Sequence, residues 1–442
     1  MIQKNSVFEG IVSEQGKFGE GIVYIDDFPI YIPNVIPDDK VEFKILKVEK
    51  RRAFGKMNRI LDSSPNRVKV TCSVAEQCGG CQLQHQSVQS QAEFRSNLLK
   101  SRLSRYINND LVEFLPIITN NTHWETRNKM QFAFSLIDNT LQIGLYAPRS
   151  HRVVGLDYCH VMSKKMNAVL VVVKKWHKTS KVPVFDELTG QGVLRHITLR
   201  YSYATDELMV ILTTGSVYKL DSFISAISML EGVTSIYHAI QTNPSDDTVI
   251  GDNITHVWGN KHINDVVNGI TCKVSPKSFM QANALLVKNL YGAVIDHLDF
   301  SRLVLDLYCG TGVLTCSIAK RCDKVIGVDS NPAAIADAVL NAKANNVHVD
   351  FYCRDVIDFL LELKNDNITV VVDPPRQGLS SRVIETLIKL EPEQLIYVSC
   401  YPDTLGRDLR LFIEGGYAVK TVQPVDMFLH TPHIEAVVIL KK

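Results

Sequence analysis

The stretch LVLDLYCGTGVLT, residues 303–315, decides the fold. Its first five residues are apolar enough for a strand covered on both faces, and the run breaks at a glycine-rich turn instead of alternating. Gly310 and Gly312 let a ligand approach the backbone, and the helix expected after them offers free N–H groups in its first turn. Downstream, KVIGVD ends at Asp329, an acid of the type that accepts hydrogen bonds from ribose hydroxyls. Apolar strands and helices then alternate through ITVVVDPPRQGLS, SRVIETLIKL, QLIYVSC, TLGRDLRLFIE and EAVVILKK. This pattern predicts a doubly wound α/β sheet with a nucleoside-type ligand at its crevice. On spacing alone, a dinucleotide-dependent oxidoreductase stays open.

The chain has a different character before residue 277. Residues 1–62 alternate apolar and polar positions in short runs broken by Gly, Asp and Pro, which predicts an OB-type β-barrel. Its last hairpin carries Lys44, Lys47, Lys50, Arg51, Arg52, Lys56 and Arg59, with Phe54 among them, and could follow a phosphate backbone. Residues 63–276 open with a Pro/Ser/Cys/Gly-rich connector and a helix-like stretch at 86–107. Mixed strands and fewer helices follow, predicting a central α+β domain. At 442 residues, a multidomain α/β protein is expected. The net charge is only +1, so any polyanion must be held by local patches. No stretch approaches a membrane span and the N-terminus lacks the apolar core of a signal peptide, so a cytoplasmic protein without membrane contact is expected.

Three segments near the expected crevice carry chemistry. Asp373-Pro374-Pro375-Arg376 follows a strand, and paired prolines make a rigid turn that holds the acid over the ligand. Cys400 ends the strand LIYVSC, where the following helix would favour a thiolate. Glu435 starts the last strand. The Gly-rich turn with an acid closing the next strand resembles the methyl-donor site of class I methyltransferases, and a thiolate and a carboxylate beside it suit one reaction. Uracil C5 is too weak a nucleophile unaided, but thiolate addition at C6 makes an enolate that takes the methyl, after which a base removes the C5 proton.

The ordered set S-F-M-Q-A-N (278–283), D-L-Y-C-G-T-G (306–312), D-P-P-R (373–376), V-S-C (398–400) and H-I-E (433–435) resembles the RNA uracil-5-methyltransferase family, and within it the 23S rRNA branch. D-x-x-x-G-x-G with an acid closing the next strand is similar to the S-adenosylmethionine motif of class I methyltransferases. The resemblance spans nearly the whole chain and implies methyl transfer to a uridine of 23S rRNA by a monomer. It implies Cys400 as nucleophile and Glu435 as proton acceptor. Gln281, Tyr308, Asp329 and Asp373 would contact S-adenosylmethionine, and Phe279 would lie near the extruded base. Most members carry Glu where this chain has Asp329. The N-terminal barrel would be a TRAM domain, Arg127, Lys129, Arg149, His151 and Arg152 RNA contacts, and part of 90–122 would pack on residues 277–442. The same reaction on the T-loop uridine of tRNA is the nearest rival, although bacterial tRNA enzymes generally lack both the barrel and the cysteine cluster. A non-catalytic RNA-binding assembly factor is a rival of another class.

That cluster reads Cys72-x5-Cys78-Gly-Gly-Cys81. Three thiolates need a fourth ligand, for which Cys159 is the candidate ahead of His85 and His160. Spacing alone does not separate zinc from a cluster. The family's cluster-bearing members place a [4Fe-4S] centre on this pattern, which implies an iron–sulfur site apart from the methyl-transfer chemistry.

Overall fold

The computed structural model describes residues 2–120, 122–243, 248–299, 303–364 and 367–442. Among them the strands assemble into four sheets, of six, seven, two and eight strands. The chain divides into two compact units. One holds the chain up to Leu99, Tyr146–His151 and Phe428–His433; the other holds Lys100–Leu145, Arg152–Met427 and Ile434–Lys442.

The first unit begins with β1 (Val7–Ile11), β2 (Glu14–Gln15), β3 (Gly21–Ile25), β4 (Phe28–Ile32), β5 (Lys40–Glu49) and β6 (Arg52–Asp62), in the order β1-β5-β6-β4-β3-β2. The alternation read in the sequence puts Val23, Ile30, Ile32, Val41, Phe43 and Ile45 on one buried face. Curling brings β1 onto β3: a Cβ at Gly10 would collide with Val23. Buried Asp39 pins the following connector, accepting from the backbone N–H of Ser64 at 3.0 Å and from Arg67 Nε at 3.0 Å. Helix α1 (Val88–Leu103) comes next.

The second unit contains β7 (Glu113–Phe114), β8 (Lys129–Ile137), β9 (Thr140–Tyr146, its last residue in the first unit), β10 (Val153–Gly155), α2 (Lys164–Ser180), β11 (Leu194–Tyr201), β12 (Leu208–Thr214), α3 (Asp221–Ile227), β13 (Val233–Ile240) and β14 (Asn253–Gly259). Its seven-stranded sheet runs β10-β9-β8-β11-β12-β13-β14. Central β11 and β12 are buried along their whole length, and β12 pairs with β13 in parallel.

The hairpin β15 (Ile263–Val267) and β16 (Ile270–Val274) leads into α4 (Val287–Asp296), β17 (Leu303–Leu307), α5 (Val313–Ala319), β18 (Val325–Asp329), α6 (Pro332–Ala344), β19 (Asp350–Cys353), α7 (Val356–Glu362), β20 (Ile368–Val372), α8 (Ser381–Leu390), β21 (Gln394–Ser399), α9 (Pro402–Glu414), β22 (Ala418–Val425) and β23 (Glu435–Lys441). The strands order as β19-β18-β17-β20-β21-β23-β22-β7. β17, β18, β19, β20 and β21 are parallel, and β23 is antiparallel to both neighbours. The edge strand β7 comes from far upstream and pairs in parallel with β22, Glu113 opposite Thr421 and Phe114 opposite Val422. The order reverses between β17 and β20, which places a ligand crevice at the carboxyl ends of those two strands. No helix among the described residues is long and apolar enough to cross a membrane.

Candidate active site

The turn after β17 has the geometry its glycines require. Tyr308, Gly310 and Gly312 all have positive φ, at 65°, 54° and 70°. A Cβ on Gly312 would lie 2.8 Å from Phe351 and 2.9 Å from Ala338, so only glycine fits where the turn meets α5. Gly310 faces open space instead. Asp329, at the end of β18, accepts from the Gly310 N–H at 3.0 Å and from the Asn331 N–H at 2.8 Å. The acid expected at a ribose thus also staples the glycine turn to the next helix. Buried Asp306 accepts from Thr315 Oγ1 at 2.5 Å, and burial pushes its carboxyl up to about 7.

Beyond β20 the acids crowd together. Gln281 Nε2 donates to Asp373 at 3.1 Å, holding that carboxyl down against an enclosure that pushes it up to about 7. Glu435 is buried on β23. Burial first, then the charge of Asp373, raise its carboxyl well above the ordinary range, while Arg376 opposes the rise. Cys400, half-buried after β21, feels the same groups: burial and then Glu435 push its thiol up to about 11, against Arg376. The thiolate expected from the start of α9 is therefore not favoured, because desolvation and a carboxyl neighbour outweigh the helix end.

Four of the candidate residues, Gln281, Asp373, Cys400 and Glu435, thus converge beyond β20, while Tyr308 and Asp329 belong to the glycine turn and the end of β18. Two acids and a thiol crowd together beside the exposed guanidinium of Arg376, so most of their protons stay on. Arg376 carries no part in the motif as read from sequence, although it closes D-P-P-R.

The segment carrying Phe279 and Gln281 is gripped by residues with no motif to announce them. Asn128 Nδ2 donates to the Gln281 carbonyl at 2.8 Å, and Asp337 accepts from Ser275 Oγ at 2.9 Å and from Ser278 Oγ at 2.6 Å. Phe279 itself is 70% exposed. Lys129, expected to touch RNA, is half-buried next to Arg200 on the facing strand, and burial lowers its ammonium pKa to about 8. It is less a free surface cation than a part of the sheet.

Cys72, Cys78 and Cys81 belong to the first unit and Cys159 to the second. Cys78 is buried, accepts from the Gly80 N–H at 3.4 Å, and has its thiol pKa raised by burial and by Cys72. Cys159 is held in its loop by Asn167, whose Oδ1 accepts from the Cys159 N–H at 2.8 Å. The donor chemistry suits a soft metal or cluster. As placed, no three His, Cys, Asp or Glu side chains among the described residues form a group that could hold a metal ion.

Comparison with known proteins agrees with this architecture. The TRAM domain family matches residues 3–57, the methyltransferase small domain residues 274–396, and the tRNA (Uracil-5-)-methyltransferase family residues 357–442. An uncharacterized RNA methyltransferase of Clostridium tetani is 35% identical, covering 99% of this chain and 97% of that protein. One from Halalkalibacterium halodurans is 34% identical over 100% and 98%. The chain belongs to the RNA uracil-5-methyltransferase family. The Pyrococcus abyssi tRNA (uracil-54, C5)-methyltransferase, solved with S-adenosyl-L-homocysteine, is 28% identical with a TM-score of 0.81, over 98% of this chain and 100% of that one. Members of this family take their methyl group from S-adenosylmethionine, and the oxidoreductase alternative falls away.

Proposed function

We propose that this methyltransferase acts as a monomer, transferring the methyl of S-adenosylmethionine to C5 of a uridine in 23S rRNA with Cys400 as covalent nucleophile and Glu435 as base. The observation that carries the reading is the convergence of Cys400, Glu435 and Asp373 within one enclosure beside Arg376. Cys400 gives up its proton and adds to C6 as the thiolate, and the enolate so formed takes the methyl from the sulfonium at C5. A carboxylate then removes the C5 proton, and the Cys400–C6 bond breaks to release 5-methyluridine. Asp373 sits where it can feel the change in Glu435's protonation, so the two acids act as one titrating pair. Gln281, Tyr308, Asp329 and Asp373 are assigned to the methyl donor, and Phe279 to the face of the extruded base.

The choice of 23S rRNA rests on the resemblance, namely a TRAM barrel together with the cysteine cluster. A second reading, the T-loop uridine of tRNA, draws support from the tRNA enzyme of Pyrococcus abyssi. Methylation of purified 23S rRNA and tRNA with labelled donor, followed by mapping of the product, separates the two; label in tRNA alone sinks the first. Cys400→Ala should lose at least about a thousandfold in turnover. A variant as active as wild type would remove the covalent mechanism.

The resemblance to the family's cluster-bearing members supports a [4Fe-4S] cluster on Cys72, Cys78 and Cys81, with Cys159 as the further candidate ligand. The Gly80 N–H on Cys78 is the type of contact that stabilises a ligating thiolate. Anaerobically purified protein should be brown and contain iron and sulfide; a colourless, zinc-containing protein refutes the cluster.

A further inference from the structure

A guanidinium inside a fully buried strand is unusual enough to ask what it holds. Arg200 lies on β11, which is buried at every position, and is itself 1% exposed. Its Nη1 donates to the carbonyls of Ser275 at 2.8 Å and Pro276 at 2.9 Å, and its Nη2 to that of Ser278 at 2.6 Å. All three acceptors belong to the turn that ends at Phe279. From the opposite side Asp337 of α6 accepts from the hydroxyls of Ser275 and Ser278. One buried cation and one buried anion therefore fasten the same short turn, both of them at Ser275 and Ser278, and the aromatic ring that follows is left 70% in solvent. An exposed phenyl ring gains nothing from water and would fold back onto apolar surface if its backbone were free. The clamp denies it that freedom.

We propose that Arg200 is a positioning residue for base extrusion: it holds the 275–278 turn so that Phe279 stands out as a preformed wedge for the target nucleotide. This rests on the RNA uridine reading given above. Lysine cannot replace it, because a single ammonium lacks the planar fork that reaches three carbonyls at once. Gln281 hangs on a separate support, Asn128, so the consequence of losing Arg200 falls mainly on the wedge.

The test compares wild type, Arg200→Lys, Arg200→Met and Ser278→Ala on two RNAs, one with the target uridine stacked in its native fold and one with it in a short unpaired strand. Loss of Arg200 is expected to lower kcat/KM on the folded RNA by about tenfold or more, and by less than about threefold on the unpaired one, where no extrusion is needed. Ser278→Ala, which removes one hydroxyl and leaves the core intact, should show the same split at smaller size. Tryptic cleavage after Lys277, followed by mass spectrometry, should quicken in the same order without RNA. An equal loss on both RNAs, or unchanged cleavage, would overturn the positioning role, and Arg200→Lys, which keeps the buried charge and loses the fork, decides it if Arg200→Met does not fold. Wild type that methylates neither RNA overturns the uridine reading itself and the wedge with it.

Discussion

At the scale of single residues, the site sets protons against charge. Glu435 has a folded-state pKa above its unfolded value, so its protonated form is favoured by folding. Stability from that term is present at low pH and lost as pH rises through the folded pKa. Glu435→Gln, neutral at every pH, escapes the loss. It should abolish turnover yet melt a few degrees higher than wild type at pH 8, the gap closing toward pH 5; scanning calorimetry across that range reads it. Arg376 works in the opposite sense on Cys400, restraining the rise of its thiol pKa. Iodoacetamide labelling of Cys400, followed peptide by peptide, should climb only in alkaline solution, and in Arg376→Gln the climb should move to still higher pH.

Single elements explain what could be read early and what could not. The β17–turn–α5 unit was legible because each requirement is local: an apolar run, two glycines at positive φ, a helix start. Its two glycines do different work, and substitution should separate them. Gly312→Ala meets Phe351 and Ala338 and should cost about 1–3 kcal/mol in chemical unfolding. Gly310→Ala meets no side chain or backbone within contact, so beyond the roughly 1 kcal/mol strain of a positive φ it should act on donor affinity, read by calorimetric titration. Arg200 and Asp337 were illegible for the converse reason. Each is one charged residue in an ordinary-looking element, and its meaning lies in carbonyls and hydroxyls scores of residues away. The thiol at Cys400 is illegible in the same way: a helix start is visible in sequence, and burial beside Glu435 is not.

At the scale of the whole molecule, near-zero net charge makes RNA affinity a matter of local patches. In the N-terminal hairpin, Lys47 and Arg52 pair with Glu49, and Arg59 pairs with Glu42, so part of the basic ribbon is already neutralised. Lys50 and Arg51 at its exposed tip have no ion pair among the described residues. Lys50→Glu with Arg51→Glu should weaken RNA binding and flatten its salt dependence by roughly one to two phosphate contacts while leaving donor binding intact, as filter binding across salt concentrations would show. The strand β7 has a consequence of another sort. Glu113 and Phe114 leave the ribosome long before Thr421 and Val422 exist. The methyltransferase sheet therefore cannot gain its last strand until synthesis is nearly over, and until then β7 must wait unpaired. A fragment begun at residue 277 would have the opposite defect: β22 would become a bare edge, open to the same strand of a second molecule, and such a fragment should aggregate where the full chain does not.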